Sequence, residues 1–230
     1  ERGFASARYG GQLSDNAHYR LYGKWYERDE GAGSFAADDW RMQRGGGRID
    51  WTPTCCGHVT IQGDIYEGFT GRHNHYPDPD PAAPSPFQTH FDDDAHVTGG
   101  NGLVRWTRTL NEDSNWSLQV YYDHTRRSYG AVPFSETRDT IDVDYQYSFP
   151  FGCNHKIICG AGYRHTRDEI RDMPFVIGFD PDERSDDLYS YFIQDEINLY
   201  CERWFLTLGS KFQHNDYTGF EVQPTARLLW

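Results

Sequence analysis

The segment GSKFQHNDYTGFEVQPTARLLW, from Gly209 to Trp230, contains two runs of alternating apolar and polar residues with a short polar turn between them. Side chains of a β-strand point alternately to its two faces, so this period predicts a hairpin with one apolar face. Pro224 has no N–H to donate to a neighbouring strand, and we expect a bulge or a strand end near it. In the second run we expect Val222, Ala226, Leu228 and Trp230 on the apolar face, and Glu221, Gln223, Thr225 and Arg227 on the polar face.

The same period recurs along the whole chain, most clearly in residues 116–123, 141–149, 156–164 and 204–213. Short and long connections alternate between the runs, and this order predicts about eleven consecutive antiparallel strands in an up-and-down meander. The short turns are expected at 13–16, 52–57, 111–114, 151–154 and 200–203, and the long connections at 30–39, 74–95, 130–136 and 171–187.

The composition agrees with alternating strands. The chain has 230 residues and a formal net charge of -13, and its mean hydropathy is -0.82 although 16% of its residues are aromatic. Alternation produces this combination because each apolar residue has polar neighbours. A transmembrane helix needs a run of about 18 or more apolar residues, which the sequence lacks, whereas a spanning strand needs only about 9–11 residues. The acidic balance argues against a nucleic-acid partner.

Charged residues in midstrand, strand after strand, favour a closed wide barrel with apolar side chains toward lipid and polar ones toward a wet lumen. A soluble sandwich would instead bury a packed aliphatic face. The sequence therefore predicts an all-β, antiparallel, up-and-down transmembrane β-barrel. Trp51, Trp116 and Trp204 lie beside short turns, as expected for an aromatic girdle at one rim. The candidates for the lumen lining are Arg48, Asp64, Arg105, Asp142, Asp144, Arg164 and Lys211.

Two stretches resemble the barrel of TonB-dependent outer-membrane receptors, namely LTLGSKFQHNDYTGFEVQPTARLLW at 206–230 and YSYFIQDEINL at 189–199. Shorter pieces fit the same family: GGRIDW at 46–51, LVRWTR at 103–108 and GYRHTRDEI at 162–170. The resemblance implies a location in the outer membrane, lipid as a partner, and TonB-dependent transport of a scarce solute, often a ferric siderophore. The residues that carry it are Gln194, Asp195, Glu196, His214, Asn215, Tyr217, Gly219, Pro224, Arg227 and Trp230.

The resemblance also implies that this chain is part of a larger barrel. The family has an N-terminal plug domain and a short segment that contacts TonB, and neither is found in these residues. Plugged transporters have about 22 strands, so eleven would be half, and single-chain bacterial barrels have an even number. We therefore expect residues 1–230 to be an internal fragment of the barrel domain, without plug or signal peptide, followed by the remaining strands. Contact with the TonB complex is expected only through the missing plug region.

Asp195 is an exception to the alternation, because it falls on the otherwise apolar face of its strand. Two explanations are open. Either the residue lies outside the apolar band, or a bulge reverses the register there.

The connection NHYPDPDPAAPSPFQTHFDDDA, at 74–95, is proline-rich and acidic. It is interpreted either as an extracellular loop that contacts a ligand or a metal ion, or as a solvated acidic loop that happens to contain histidines, and we favour the second interpretation. His73 and His75 can share one strand face, but two ligands do not define a metal site.

Asp180 and Asp182 begin no calcium loop, because the EF-hand glycine and glutamate are missing from the required spacing. We expect no metal and no cofactor. The ligand-contacting candidates are His73, His75, Tyr76, Asp78, Asp80, His90 and Asp92.

No motif for catalysis is present: the sequence has no G-x-S-x-G, no H-E-x-x-H and no phosphate loop, so we expect that the protein is not an enzyme. The alternatives to receptor function are a passive outer-membrane porin and, less favoured, a soluble β-sheet carbohydrate-binding module or glycan-active enzyme. The sequence does not identify the small-molecule ligand.

Four cysteines are expected in short turns: Cys55, Cys56, Cys153 and Cys201. The sequence does not decide whether disulfides form between these turns, which an oxidising periplasm would allow.

Overall fold

A computed structural model of the chain describes residues 2–31, 37–77, 82, 88–130, 134–172, 178–200 and 203–230. Within these ranges no helix is long and apolar enough to cross a membrane. The regular structure described consists of strands: β1 (Gly3–Ser14), β2 (Ala17–Arg28), β3 (Trp40–Thr54), β4 (Gly57–Pro77), β5 (Gln88–Asn111), β6 (Ser114–Tyr129), β7 (Ser135–Phe151), β8 (His155–Arg171), β9 (Glu183–Tyr200), β10 (Trp204–Asn215) and β11 (Gly219–Leu229).

The eleven strands form one sheet in the order of the sequence, and every neighbouring pair is antiparallel. In the described part of the chain, β1 and β11 are the edges and each has a single neighbour, so the sheet is open. The prediction of an all-β, up-and-down meander of about eleven strands is confirmed.

Two of the long connections, those predicted at 74–95 and 171–187, are shorter than the sequence indicated. β4 continues to Pro77 and β5 begins at Gln88, so the boundaries predicted for the 74–95 connection are wrong. β9 likewise begins at Glu183, inside the segment predicted to connect it to β8. The alternation that marks a strand in the sequence fades in these extensions because polar residues occupy both faces, while backbone pairing continues.

Register aligns apolar residues into rows that cross the sheet. Directly paired positions on consecutive strands run from β2 to β9 through Tyr19, Ile49, Ile61, Val104, Val120, Val143, Tyr163 and Tyr189. We call the side that carries this row the apolar face. The adjacent row lies on the opposite side, the polar face, and runs through Arg20, Arg48, Gln62, Leu103, Tyr121, Asp142 and Arg164.

The sheet has almost no core of its own. Among the described residues, the buried hydrophobic side chains are Ala17 and Ala95. Large side chains on the apolar face are not covered by other residues: 73% of the accessible surface of Ile65 and 60% of that of Tyr191 are exposed. A soluble protein rarely leaves a contiguous apolar surface of this extent uncovered. The apolar face therefore requires an apolar environment, which for a strand of this length is a lipid bilayer.

Tryptophans on the apolar face gather near the short turns. Trp51 and Trp116 lie close to the β3–β4 and β5–β6 turns, and Trp204 is the first residue of β10. Trp116 packs edge-on against Trp106, with ring centroids 4.7 Å apart, and Trp204 stacks on Trp230 at 5.8 Å. These positions are those expected of an interfacial girdle at one rim.

The β10–β11 turn is built by local hydrogen bonds and one glycine. The side-chain oxygen of Asn215 accepts hydrogen bonds from the backbone N–H groups of Tyr217 and Thr218, both at 2.8 Å. Gly219 follows with φ of 72°, a left-handed conformation that favours glycine. The ladder after it pairs without a register shift through Pro224. Neither the bulge nor the strand end expected at Pro224 is found, because the proline lies within β11 and its pairing with β10 is regular.

The described cysteines are free thiols. Cys55 and Cys56 are adjacent in the β3–β4 turn, with sulfur atoms 3.2 Å apart, Cys153 is in the β7–β8 turn, and Cys159 is within β8. Cys201 lies outside the described residues. Pairing between turns is thus not found among these four.

The two faces can be distinguished by one matched pair of substitutions in β5. Val104→Arg places a charge on the apolar face near the middle of the band and is expected to lower the free energy of unfolding by about 2–4 kcal/mol. Leu103→Arg, on the neighbouring polar-face position, is expected to cost much less because its charge remains hydrated. Chemical unfolding of the protein in lipid vesicles measures both values. Equal losses for the two variants would contradict the assignment of the faces.

Candidate functional site

The predicted lumen-lining residues all lie on the polar face, and three of their seven charges, those of Asp64, Asp142 and Arg164, are paired with a charge on a neighbouring strand. Arg164 donates to Asp142 at 2.8 Å. Asp64 accepts from Arg44 at 2.8 Å, a partner that the sequence did not indicate. These partly exposed pairs give a mixed-charge surface whose ionised groups remain close to water.

Three of the remaining lining candidates form hydrogen bonds with polar neighbours, and the position of the fourth, Lys211, is known from the strand register. Arg48 donates to Asp50 at 2.7 and 2.8 Å within its own strand. Arg105 donates from Nε to Gln119 at 2.9 Å, and Asp144 accepts from Gln146 at 3.1 Å. Lys211 pairs in register with Phe192 and Gln223, on the polar face of β10.

The family-motif residues of β9 divide between the two faces. Gln194 and Glu196 lie on the polar face, opposite Gly209 and Thr207 of β10. Asp195 lies on the apolar face, and the pairing around it shows no bulge that would reverse the register. The structure instead supplies a partner: Nδ1 of His155 lies 2.7 Å from the Asp195 carboxylate.

Tyr217 joins the β10–β11 turn to β9. Its hydroxyl donates to Asp186 at 2.7 Å, and the Arg184 guanidinium lies 4.1 Å from the centre of its ring. The hydrogen bond to Asp186 raises the pKa of the Tyr217 hydroxyl because ionisation would remove the donor, and desolvation adds to the rise. Asp216 also accepts from the backbone N–H of Asp187 at 2.9 Å. The turn is therefore fixed against the neighbouring strand.

The other motif residues have defined places in the terminal hairpin. His214 lies on the apolar face between Tyr189 and Phe220 in register. Arg227 is opposite Thr207 on the polar face. The predicted division of β11 into an apolar set and a polar set is confirmed by its register against β10.

The histidines beside the proline-rich segment lie in strands rather than in a loop. His75 pairs directly with His90 across the β4–β5 ladder, and His73 pairs with Asp92. Because side chains alternate along a strand, these three histidines and Asp92 lie on the same side of the hairpin as Ile65 of β4. At about 3.4 Å per residue, His73 lies roughly 27 Å along the strand beyond Ile65. Asp78 and Asp80 lie outside the described residues, and of Tyr76 the structure describes only the backbone, in β4.

Three imidazoles converge at this point. Ring centroids are 4.8 Å apart for His73 and His75, 4.4 Å for His75 and His90, and 5.8 Å for His73 and His90. One nitrogen from each ring can be chosen so that all three lie within 4.8 Å of one another. Desolvation lowers the pKa of His75, and the neighbouring His90 and His73 lower it further. These are the described residues whose geometry could hold a metal ion.

Four other histidines on the apolar face are each matched with an acid, namely His96, His124, His155 and His165. Asp139 accepts from Tyr122 and lies 2.8 Å from His124, and Asp187 has the same arrangement with Tyr163 and His165. These two groups were not expected from the sequence. Their signal is the repeated Tyr-x-His spacing at 122–124 and 163–165.

The family model described as TonB dependent receptor-like, beta-barrel, matches residues 57–230. Among curated proteins no individual sequence matches the chain.

Several solved receptors share the fold. The siderophore receptor PirA from Pseudomonas aeruginosa aligns with a TM-score of 0.70 at 13% identity, over 98% of this chain and 36% of its own. PirA from Acinetobacter baumannii gives 0.71 at 14%, covering 98% and 38%. A variant of the ferric enterobactin receptor PfeA from Pseudomonas aeruginosa gives 0.69 at 15%, covering 98% and 39%. The chain thus spans less than two fifths of the length of these structures.

The Asp195–His155 pair provides a test of charge balance on the apolar face. His155→Ala is expected to destabilise the protein by about 1–3 kcal/mol, less than the loss for a fully buried pair because both groups keep some solvent contact. The double variant His155→Ala with Asp195→Asn should recover most of that loss, since no unpaired carboxylate remains. Unfolding in lipid vesicles measures both. A His155→Ala protein as stable as the unmodified protein would show that the pair has no such role.

Proposed function

Because the chain belongs to the TonB-dependent receptor β-barrel family, we propose that it forms part of the wall of an outer-membrane receptor that imports a scarce solute by TonB-dependent transport. The observation that carries the proposal is the one-layer sheet, whose apolar face is uncovered and whose opposite face is lined by paired charges. The family match over β4 to β11 supports it.

In this proposal the two faces have separate tasks. The apolar face contacts outer-membrane lipid, and the polar face lines the lumen around a plug domain. Mixed charges such as Arg44–Asp64 and Asp142–Arg164 keep that lining hydrated without a large field of one sign. The long β4–β5 extension would reach into the extracellular medium, where the solute is captured. Force transmitted by the TonB complex to the plug would then open the path.

A siderophore-like solute is the substrate class that we propose. Receptors with the same fold are described as siderophore receptors and as a ferric enterobactin receptor. Those descriptions apply to those proteins, and the likeness in fold makes this class the first to test. We propose no enzymatic step, because the family consists of transport receptors.

For the domain organisation we propose that residues 1–230 are an internal part of a larger barrel domain. The alignment covers nearly all of this chain but less than two fifths of each solved receptor. The remaining strands of such a barrel would pair with the two edges, β1 and β11. Pairing on both sides is what a spanning sheet requires, since an open edge leaves N–H and C=O groups unsatisfied in hydrocarbon.

The uptake proposal is tested in cells that carry the full-length protein as their sole candidate receptor. A panel of ferric siderophores labelled with radioactive iron, including ferric enterobactin, is the probe. At least one member should accumulate in cells with TonB and lose accumulation when TonB is deleted. Accumulation that is unchanged without TonB and rises linearly with concentration would identify a passive porin instead. Failure of the entire panel would contradict the siderophore-like class.

The domain proposal predicts that residues 1–230 alone do not form a stable pore. Two open edges in hydrocarbon leave backbone groups unpaired, at several kcal/mol for each group. The isolated chain is offered to liposomes that contain a fluorescent solute, with the full-length protein as control. Protease digestion of the isolated chain and the absence of solute flux are the expected results. Protease-resistant insertion with flux would overturn the proposal.

A further inference from the structure

His75 and His90 of the β4–β5 hairpin are arranged differently from the acid-paired histidines of the described sheet, and they cluster with His73. His96, His124, His155 and His165 each lie within 2.9 Å of a carboxylate oxygen. In the described residues His75 and His90 have no acidic partner, and the ring neighbours recorded for them are imidazoles. The three imidazoles each offer one ring nitrogen to the same point, with these nitrogens within 4.8 Å of one another, and imidazole nitrogen is a common metal ligand.

Asp92 fixes the orientation of one of these rings. Its Oδ1 lies 2.7 Å from Nδ1 of His73, and an ionised carboxylate can only accept. In the neutral ring this contact places the proton on Nδ1 and leaves the lone pair on Nε2. A metal-binding histidine commonly has its second nitrogen hydrogen-bonded to a carboxylate, which fixes its tautomer and raises its basicity. The His73 side chain is also only 18% exposed, whereas His75 and His90 are exposed.

We propose that His73, His75 and His90 bind one divalent transition-metal ion of the borderline class, with Zn²⁺ as the reference ion and Asp92 as the partner that positions His73. Neutral imidazole is a preferred ligand of Zn²⁺ and Cu²⁺. Nitrogens on a tetrahedral Zn²⁺ are about 3.3 Å apart, given Zn–N distances of about 2.0 Å. The candidate nitrogens already lie within 4.8 Å of one another, so rotation of the two exposed rings closes the site.

The register of the hairpin explains why these ligands form a set. His73 and His75 are separated by one residue on β4, so they share a face, and His90 is directly opposite His75 on β5. Paired residues have Cβ atoms about 4.5–5.5 Å apart, which suits two imidazoles on one ion. Three protein ligands leave at least one position for water or another ligand. Acidic residues that follow on β5, Asp93 and Asp94, favour the approach of cations.

A metal ion at this place would join β4 to β5 near the end of the extension. Because it binds the paired hairpin and not the separated strands, it would stabilise their pairing by mass action. The ligands belong to the side of the hairpin that is continuous with the apolar face, opposite the charges proposed to line the lumen. The inference therefore goes beyond solute uptake and does not depend on it.

Titration calorimetry with Zn²⁺ tests the site on the full-length protein purified in detergent micelles. We expect one Zn²⁺ per chain, with His75→Ala and His90→Ala each weakening the affinity at least about tenfold. The matched control is His96→Ala, on the same face of β5 but paired with Glu67, which should bind as the unmodified protein does. Asp92→Asn should weaken binding by about 10–100-fold without loss of stoichiometry.

Two further measurements exclude a purely structural role for the three rings. Electron paramagnetic resonance of bound Cu²⁺ should show coupling to three imidazole nitrogens, and to fewer of them in His90→Ala. Hydrogen exchange should slow at residues 73–77 and 88–92 on addition of Zn²⁺. An unchanged thermal unfolding midpoint without metal would show that the variants fold. No Zn²⁺ binding by the unmodified protein, or equal binding by the His75→Ala, His90→Ala and His96→Ala variants, would overturn the proposal and leave only ring stacking.

Discussion

A sheet one layer thick has no interior, so only its surroundings can remove its apolar side chains from water. This constraint governs the whole protein. The row from Tyr19 to Tyr189 has no second layer packed against it in the described structure, and large side chains such as Ile65 stay exposed. In a bilayer the lipid tails cover these apolar side chains, and hydrogen bonds between strands satisfy the backbone N–H and C=O groups. Stability therefore depends on lipid and on lateral strand pairing rather than on a packed core.

Pairing between neighbouring strands explains why this chain can align with one section of a larger barrel. Each of the interior strands β2 to β10 has a neighbour on both sides, and β1 and β11 have one each. The family match and the alignment with part of several receptors agree with a section of barrel wall. Because each strand pairs only with its neighbours in sequence, the register of this section is set by its own strand pairs.

Charge on the apolar face is balanced locally rather than avoided. Asp195 is met by His155, and Asp139 and Asp187 are each met by a tyrosine and a histidine. Farther along the β4–β5 extension the same side carries histidines that contact one another. The acid–histidine pairs balance charge within the sheet. The cluster of three histidines instead offers several imidazole nitrogens to one ion, as we propose for it.

The sequence alone determined the strand period, the antiparallel order and the division of β11 into two faces, because alternation is a local property that any paired strand must obey. It also placed all seven lining candidates on the polar face. It misplaced the ends of β4, β5 and β9, since both faces are polar there and the alternation disappears. The partners of Asp195 and Asp64, and the meeting of His90 with His75, depend on residues far apart in the chain. Only the register of the folded sheet decides such contacts, because a shift of one residue would move every side chain to the other face.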